Sequence, residues 1–163
     1  MVKSIIKKIE NAIKNTFNGL ETDSKFQISS PVDPNYNCIA WAFRLYKDRW
    51  MQPPKGMYIQ QLDAVTWWPD NVTEGMEIQC LIEAFEKNGF ERCENANHEN
   101  GFIKVALYVN PDNNEWTHAS REGRNGEYWM SKLGRSYDIH HGSPYTIEGE
   151  RYGKVYCIMK MPN

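Results

Sequence analysis

Cys38 and His118 are the two residues whose side chains could be combined by folding into a reactive pair. Cys38 opens the mostly apolar run Cys38–Tyr46, which predicts a short buried helix. A thiol at a helix N-terminus lies beside unpaired backbone N–H groups and the positive end of the helix dipole, and both favour the thiolate. His118 lies on a predicted strand, far from Cys38 in sequence, as a Cys–His pair assembled by folding requires. We therefore predict Cys38 as nucleophile and His118 as base, with Sγ within about 4 Å of a ring nitrogen.

Each of these residues also has a structural explanation. Cys38 could be a small buried hydrophobe in an apolar helix. His118 could be a hydrogen-bonded core histidine. The placement of Cys38 alone does not separate the two explanations, and the His118 strand favours the catalytic one.

A third group should hold the imidazole of His118 in the right tautomer. The possible residues are Asp138, Ser131 and His141. A type I′ turn at Asn125-Gly126 would place His118 opposite Leu133 and diagonal to Ser131, on one face of the sheet. Asp138 lies just past the predicted strand and is the stronger acceptor, so we assign the orienting role to Asp138.

The surrounding sequence changes from helical to strand periodicity along the chain. Helices are predicted over Ser4–Phe17, Cys38–Tyr46 and Met76–Asn88, and a surface loop and an irregular segment over 21–37 and 49–75. Strands are predicted over Phe102–Val109, Glu115–Arg121, Glu127–Leu133 and Tyr152–Lys160. Helices followed by an antiparallel meander indicate a single α+β domain over residues 1–163.

Composition narrows the class of protein. The 19 basic and 21 acidic residues nearly cancel, whereas nucleic-acid binding calls for a basic surplus, so we expect no nucleic-acid partner. No apolar run approaches the roughly 18 residues of a membrane span, and no secretory signal is visible, so we expect no membrane partner and a cytoplasmic location. The four cysteines lack CxxC spacing, so free thiols are favoured over disulfides, and we expect neither a metal nor a cofactor.

A set of short motifs resembles a family of uncharacterised bacterial proteins known as a domain of unknown function. The similarity spans roughly residues 34–160, and the first helix (1–20) lies outside it. The motifs, in order, are Tyr36-Asn-Cys-Ile-Ala-Trp-Ala42, Trp68-Pro69, Ile82-Glu-Ala-Phe85, Lys104-Val-Ala-Leu-Tyr108, Thr117-His-Ala119, Trp129-Met-Ser-Lys-Leu-Gly134 and Asp138-Ile-His-His141. This resemblance identifies relatives and implies no activity.

A helix-borne Cys followed by Val-Ala-Leu-Tyr and His-Ala-Ser strands also resembles, more loosely, the NlpC/P60 branch of papain-like proteins. That branch hydrolyses peptide or amide bonds of cell-wall peptides, and the likeness implies a papain-like fold. The NlpC/P60 branch has its catalytic His at the position where this chain has Lys104. It often has its orienting residue at the position where this chain has His118. His118 has therefore either taken over as base, or the site has lost its base.

The leading prediction is a cysteine hydrolase or acyl-transfer enzyme acting on an amide, peptide or thioester bond of a peptide or protein substrate. Asn37, Trp41 and Ser131 are assigned to substrate or oxyanion binding, together with N–H groups near Cys38. One alternative is a non-catalytic papain-like module that binds a peptide or protein through its Trp-rich segment, which the Lys104 departure supports. Another is a toxin or effector domain with the same chemistry, delivered by a contact-dependent route.

Overall fold

The computed structural model describes residues 2–32, 36–43, 49–51, 65–133 and 136–163, which contain three α-helices and nine strands. The helices are α1 (Val2–Thr16), α2 (Cys38–Ala42) and α3 (Ile78–Lys87). The strands are β1 (Gln27–Ser30), β2 (Arg49–Met51), β3 (Val65–Trp67), β4 (Glu91–Cys93), β5 (Phe102–Val109), β6 (Trp116–Glu122), β7 (Trp129–Lys132), β8 (Asp138–His141) and β9 (Lys154–Pro162). The chain is thus α+β with an N-terminal helix, as its sequence predicts.

Seven of these strands form one antiparallel sheet in the order β1-β8-β7-β6-β5-β9-β4. The four predicted strands correspond to β5, β6, β7 and β9. The short strands β1, β4 and β8 were not predicted, and β1 lies inside the segment expected to be a loop. Strands of three or four residues carry too few alternations to be recognised from their own sequence, and the four-residue β7 was predicted because the Asn125-Gly126 turn signal precedes it.

Helices cover both faces of the sheet. Helices α2 and α3 pack on one face, which we call the thiol face, together with Val105, Leu107 and Ala119. Helix α1 packs on the other, the histidine face, through Ile9 and Ile13, and Phe17 packs there directly after the helix. Because successive side chains of a strand point to opposite faces, His118 and Ala119 face opposite sides of β6.

The hairpin that joins β6 to β7 has the predicted register. Asn125 and Gly126 both have positive φ (47° and 76°), as a type I′ turn requires. The observed pairs are Arg121 with Met130 and Glu122 with Trp129. Continuing this register places Ser131 on the same face as His118, as the turn sequence predicted.

The predicted helices are present, and α2 and α3 are shorter than predicted. Helices α1 and α3 match the two amphipathic segments. Helix α2 ends at Ala42, and residues 44–46 of the predicted Cys38–Tyr46 helix lie outside the described residues, as do residues 52–64 of the irregular segment 49–75. None of the described helices is both long and apolar enough to cross a membrane.

Candidate functional site

Cys38 is the first residue of α2, as predicted, and Asn37 is the N-cap. The Asn37 side-chain oxygen accepts a hydrogen bond from the Ala40 backbone N–H at 3.0 Å. This is the arrangement in which an Asn side chain satisfies one of the unpaired donors of a helix start. Asn37 therefore holds the Cys38 backbone in place, and its predicted role in oxyanion binding stays a prediction.

The thiol of Cys38 is protonated at neutral pH. Burial raises its pKa to about 11, against the smaller lowering effects of the backbone N–H groups of Ala119, Ile39 and Cys38 and of the Lys132 charge. The side chain is only 7% exposed. The sequence led us to expect a lowered pKa, and desolvation of the thiolate outweighs the helix N-terminus that this expectation rested on.

His118 is completely buried in the middle of β6. Its ring stacks on the ring of Tyr152 with centroids 3.9 Å apart and planes 7° from parallel, and the Tyr108 ring lies 5.2 Å away. Burial, and to a smaller extent the His141 charge, lower the pKa of His118 well below its ordinary value. His118 is therefore a neutral imidazole whose plane is fixed by its aromatic neighbours.

A chain of hydrogen bonds runs from His118 through Ser131 to His141, and we call it the His–Ser–His relay. His118 Nε2 lies 3.0 Å from Ser131 Oγ, which lies 2.8 Å from His141 Nε2. His141 Nδ1 lies 2.7 Å from the Ser143 carbonyl oxygen. All of these side-chain atoms belong to buried residues on neighbouring strands β6, β7 and β8.

The Ser143 carbonyl at the end of the relay determines which atom of the relay carries each proton. The Ser143 carbonyl can only accept, so His141 Nδ1 carries a proton and donates it. Burial lowers the pKa of His141 to about 4, so its Nε2 is unprotonated and accepts from the Ser131 hydroxyl. Ser131 Oγ then accepts from His118 Nε2–H. The Nδ1 atom of His118 is left as an unprotonated base.

His118 Nδ1 is buried and has no hydrogen-bond partner. No hydrogen bond therefore joins it to Cys38. Cys38 packs on the thiol face, whereas His118 pairs with Tyr108 and shares its place on the histidine face. Two neighbours lie between them. The thiol lies near the N–H of Ala119, the residue after His118. Tyr152 stacks on His118, and its pKa is raised by burial and, to a smaller extent, by the ionised form of Cys38. The predicted separation of about 4 Å stays a prediction.

Asp138 does not contact His118, contrary to our preferred assignment. Its Oδ2 accepts hydrogen bonds from the hydroxyls of Ser30 at 2.6 Å and Tyr36 at 2.9 Å. Asp138 pairs with Lys132 across β7 and β8, and Lys132 alternates with Ser131 along β7. The pleat therefore turns Asp138 away from the histidine face. Ser131 contacts the His118 ring instead.

Trp41 and Lys104, the other residues singled out by sequence, are both engaged in contacts. The Arg121 guanidinium lies 4.4 Å from the Trp41 ring, and its Nη1 donates to the Trp41 carbonyl at 3.3 Å. Lys104 is 3% exposed, and its Nζ donates to the Asn95 carbonyl at 2.9 Å. Trp41 lies on the thiol-face helix, so its predicted role in substrate binding stays a prediction.

Sequence reasoning did not single out Tyr152 or Lys132. Tyr152 lies between the Phe17 ring, 5.1 Å away, and the His118 ring. Lys132 is completely buried, with Nζ 5.0 Å from the Tyr36 ring centre. Neither has a local signal, because Tyr152 comes to His118 from a turn far along the chain and a lysine after Ser131 on a strand is normally exposed.

A cavity of about 260 Å³ lies beside Tyr152, on the histidine face. Its walls come from α1, from the connection between β7 and β8, and from Arg151 and Tyr152. Among the residues that the structure describes, no group of three or more His, Cys, Asp or Glu side chains is placed to hold a metal ion. The cavity therefore reaches Tyr152, whose ring stacks on that of His118.

All four cysteines are free thiols, as predicted, and alkylation of the native chain is expected to begin at Cys93. Cys93 is half-buried, whereas Cys38 is buried with a pKa of about 11. The measurement is a short iodoacetamide pulse at neutral pH followed by peptide mapping. In urea the four thiols should react alike. Alkylation of Cys38 ahead of Cys93 in the native chain would contradict the protonated, shielded thiol.

Acidification should destabilise the fold through the relay. The pKa of His141 falls from its ordinary 6.5 to about 4 on folding, so the unfolded chain binds more protons between these values. Stability should then fall as pH drops through this window, by about 3 kcal/mol from His141 alone. Urea melts from pH 7 to pH 4 measure the slope.

His141→Gln should flatten this slope, and His140→Gln is the matched control. His140 is adjacent but stacks on Tyr128 near the surface, and burial lowers its pKa less. An unchanged slope in His141→Gln would show that His141 is already protonated in the folded chain.

Comparison with known proteins identifies a family. A family model described as a domain of unknown function, DUF7689, matches residues 27–160 and so covers the sheet, α2 and α3. No curated protein and no solved structure was found to match the chain. The match includes every residue of the candidate site and leaves α1 outside.

Proposed function

The chain belongs to the DUF7689 family, whose description names no reaction, and from the site alone we propose that it is a cysteine hydrolase or acyl-transfer enzyme. The substrate bond is an amide, peptide or thioester bond of a peptide or protein. One observation carries the proposal: the His–Ser–His relay leaves a buried, unprotonated Nδ1 on His118, one residue from the backbone N–H that faces the Cys38 thiol. An unpartnered buried nitrogen is costly, and function is a common reason for keeping one.

The order of the site residues supports a papain-like arrangement of the fold. Cys38 begins a helix, His118 lies on a following strand, and Ser131 lies on the strand after that. The tautomer also fits, because the Nδ1 atom would take the thiol proton while Nε2–H is held by the third residue. The buried Lys104 stands where the NlpC/P60 branch has its catalytic base, so in this proposal His118 acts as the base.

The mechanism differs from that of a thiolate–imidazolium pair, because Cys38 and His118 are both neutral at rest. Because Cys38 and His118 lie on opposite faces of the sheet, the mechanism includes a shift of α2 against β6 on substrate binding, which brings Sγ within hydrogen-bond reach of His118 Nδ1. The thiol proton then passes to Nδ1 as sulfur attacks the carbonyl carbon. The imidazolium keeps its Nε2–H bond to Ser131. Backbone N–H groups beside Cys38 stabilise the oxyanion.

Collapse of the tetrahedral intermediate expels the leaving group, which takes the proton from His118 Nδ1. A thioester remains on Cys38. Water then attacks the thioester with His118 again as base, or an acceptor amine does so in acyl transfer. We propose a cytoplasmic location, a reducing compartment in which four free thiols would stay reduced.

A second function is favoured by the shielded thiol. A non-catalytic papain-like module that binds a peptide or protein needs no access to Cys38, and Lys104 is committed to Asn95 and to Glu99, 3.9 Å away. In that case the relay is a structural network that joins β6, β7 and β8. Binding would then be independent of the thiol.

Turnover of a small panel of substrates separates these functions. The panel contains peptide aryl amides, aryl esters and alkyl thioesters, assayed with the native chain, Cys38→Ala and Cys93→Ala. We expect hydrolysis of at least one bond type that is lost in Cys38→Ala and kept in Cys93→Ala. Binding of peptides without turnover, equal in the native chain and in Cys38→Ala, would favour the non-catalytic module.

A further inference from the structure

The first half of α1 carries apolar side chains that the domain does not cover. Val2, Ile5 and Ile6 are 70%, 56% and 44% exposed, and we call them the apolar overhang. At helical spacing they continue the stripe that buries Ile13 and Phe17 on the histidine face. The stripe therefore extends beyond the domain and stays uncovered from Val2 to Ile6, about one and a half turns.

Lysines flank the apolar overhang. Helix α1 contains four lysines and one glutamate (VKSIIKKIENAIKNT), and Lys3, Lys7 and Lys8 are exposed. At 100° per residue these three lysines lie on the sides and back of the stripe, from which their long chains can reach past the apolar residues. The helix thus presents an apolar strip with cationic borders, which is the pattern of helices that lie in a membrane interface.

Helix α1 is an addition to the family domain, because the matched residues begin at 27. Its second half packs on the histidine face through Ile13, and Phe17 packs there directly after the helix. Neither the sheet nor the relay needs Val2, Ile5 or Ile6. Their exposure calls for a role outside the fold, since contiguous exposed apolar side chains mark interaction sites.

We propose that the apolar overhang of α1 docks the protein on an anionic lipid bilayer surface. The branched side chains enter the boundary between headgroups and acyl chains, and the lysines contact lipid phosphates. A second copy of the chain is the weaker occupant, because pairing two overhangs would bring two sets of lysines together. This proposal departs from the expectation of no membrane partner, which rested on the lack of a spanning segment.

Sedimentation with vesicles tests the docking surface with the full chain. Vesicles of phosphatidylcholine with phosphatidylglycerol should pellet the protein at low salt, and vesicles of phosphatidylcholine alone should pellet much less. Ile5→Asp should weaken partitioning at least about tenfold by removing the apolar anchor. Each of Lys3→Gln, Lys7→Gln and Lys8→Gln should weaken it up to about fivefold.

Val32→Asp is the matched control, because Val32 is 49% exposed and lies outside α1. It should partition like the native chain. Equal pelleting by neutral and anionic vesicles, or equal loss in Val32→Asp and Ile5→Asp, would overturn the proposal. So would a dimer in solution that Ile5→Asp dissociates, since a second copy would then cover the overhang.

Discussion

Replacing Ser131 by Ala is expected to lower turnover about a hundredfold, which is the lower end of what a positioned proton-transfer group contributes. Ser131 Oγ accepts a hydrogen bond from His118 Nε2–H and donates one to His141 Nε2. Without it either ring nitrogen of His118 can carry the proton, and the tautomer with a protonated Nδ1 cannot act as base. Steady-state kinetics on the best substrate of the panel measure the loss.

Asp138→Asn is the matched comparison for Ser131→Ala. The Asn oxygen can still accept from Ser30 and Tyr36, and the residue does not touch His118. We expect Asp138→Asn to lower turnover less than about tenfold. Thermal melts of both variants measure their stability. Ser131→Ala should lower kcat and leave KM nearly unchanged, whereas the loss of a purely structural residue would not affect kcat alone. A larger loss in Asp138→Asn at equal stability would restore the aspartate as orienter.

Cys38→Ala and His118→Asn are expected to remove activity to the same extent, each by about a thousandfold or more, with no further loss in the double variant. Groups that act as one unit lose the whole effect when either is removed. Additive losses would show that His118 does not act through Cys38. Lys104→Gln serves as the control variant, because Lys104 takes no part in the proposed proton transfer.

The pH profile of kcat/KM supplies a second sign of the same pair. A neutral thiol with a pKa of about 11 and an imidazole with a strongly lowered pKa predict a plateau across neutral and mildly alkaline pH. A preformed thiolate–imidazolium pair would instead show an alkaline limb at the pH where the imidazolium loses its proton. Such a limb would contradict the neutral resting state.

The parts of the fold that follow from local rules were predictable. Asn125-Gly126 determined the turn, and the turn determined the β6–β7 register and so the facing of Ser131. The amphipathic patterns of α1 and α3 were sufficient to identify both helices. Cys38 was correctly predicted at a helix start because a polar segment gives way there to an apolar one.

The remainder depended on tertiary contacts. The pKa of Cys38 depends on how completely Ala119 and its neighbours cover the thiol, which no local pattern encodes. Asp138 was preferred for its charge, and the unpredicted strand β8 then turned it to the other face. Tyr152 reaches His118 only because the sheet brings distant segments together.

Acylation of Cys38 tests the central claim most directly. The native chain, His118→Asn and Cys38→Ala are mixed with an activated acyl donor of the bond type that the panel identifies, quenched in acid and examined by intact mass and peptide mapping. The proposed mechanism predicts one acyl group on Cys38 in the native chain and almost none in His118→Asn. Acylation at another residue, or of Cys38 at the same rate without His118, would contradict it.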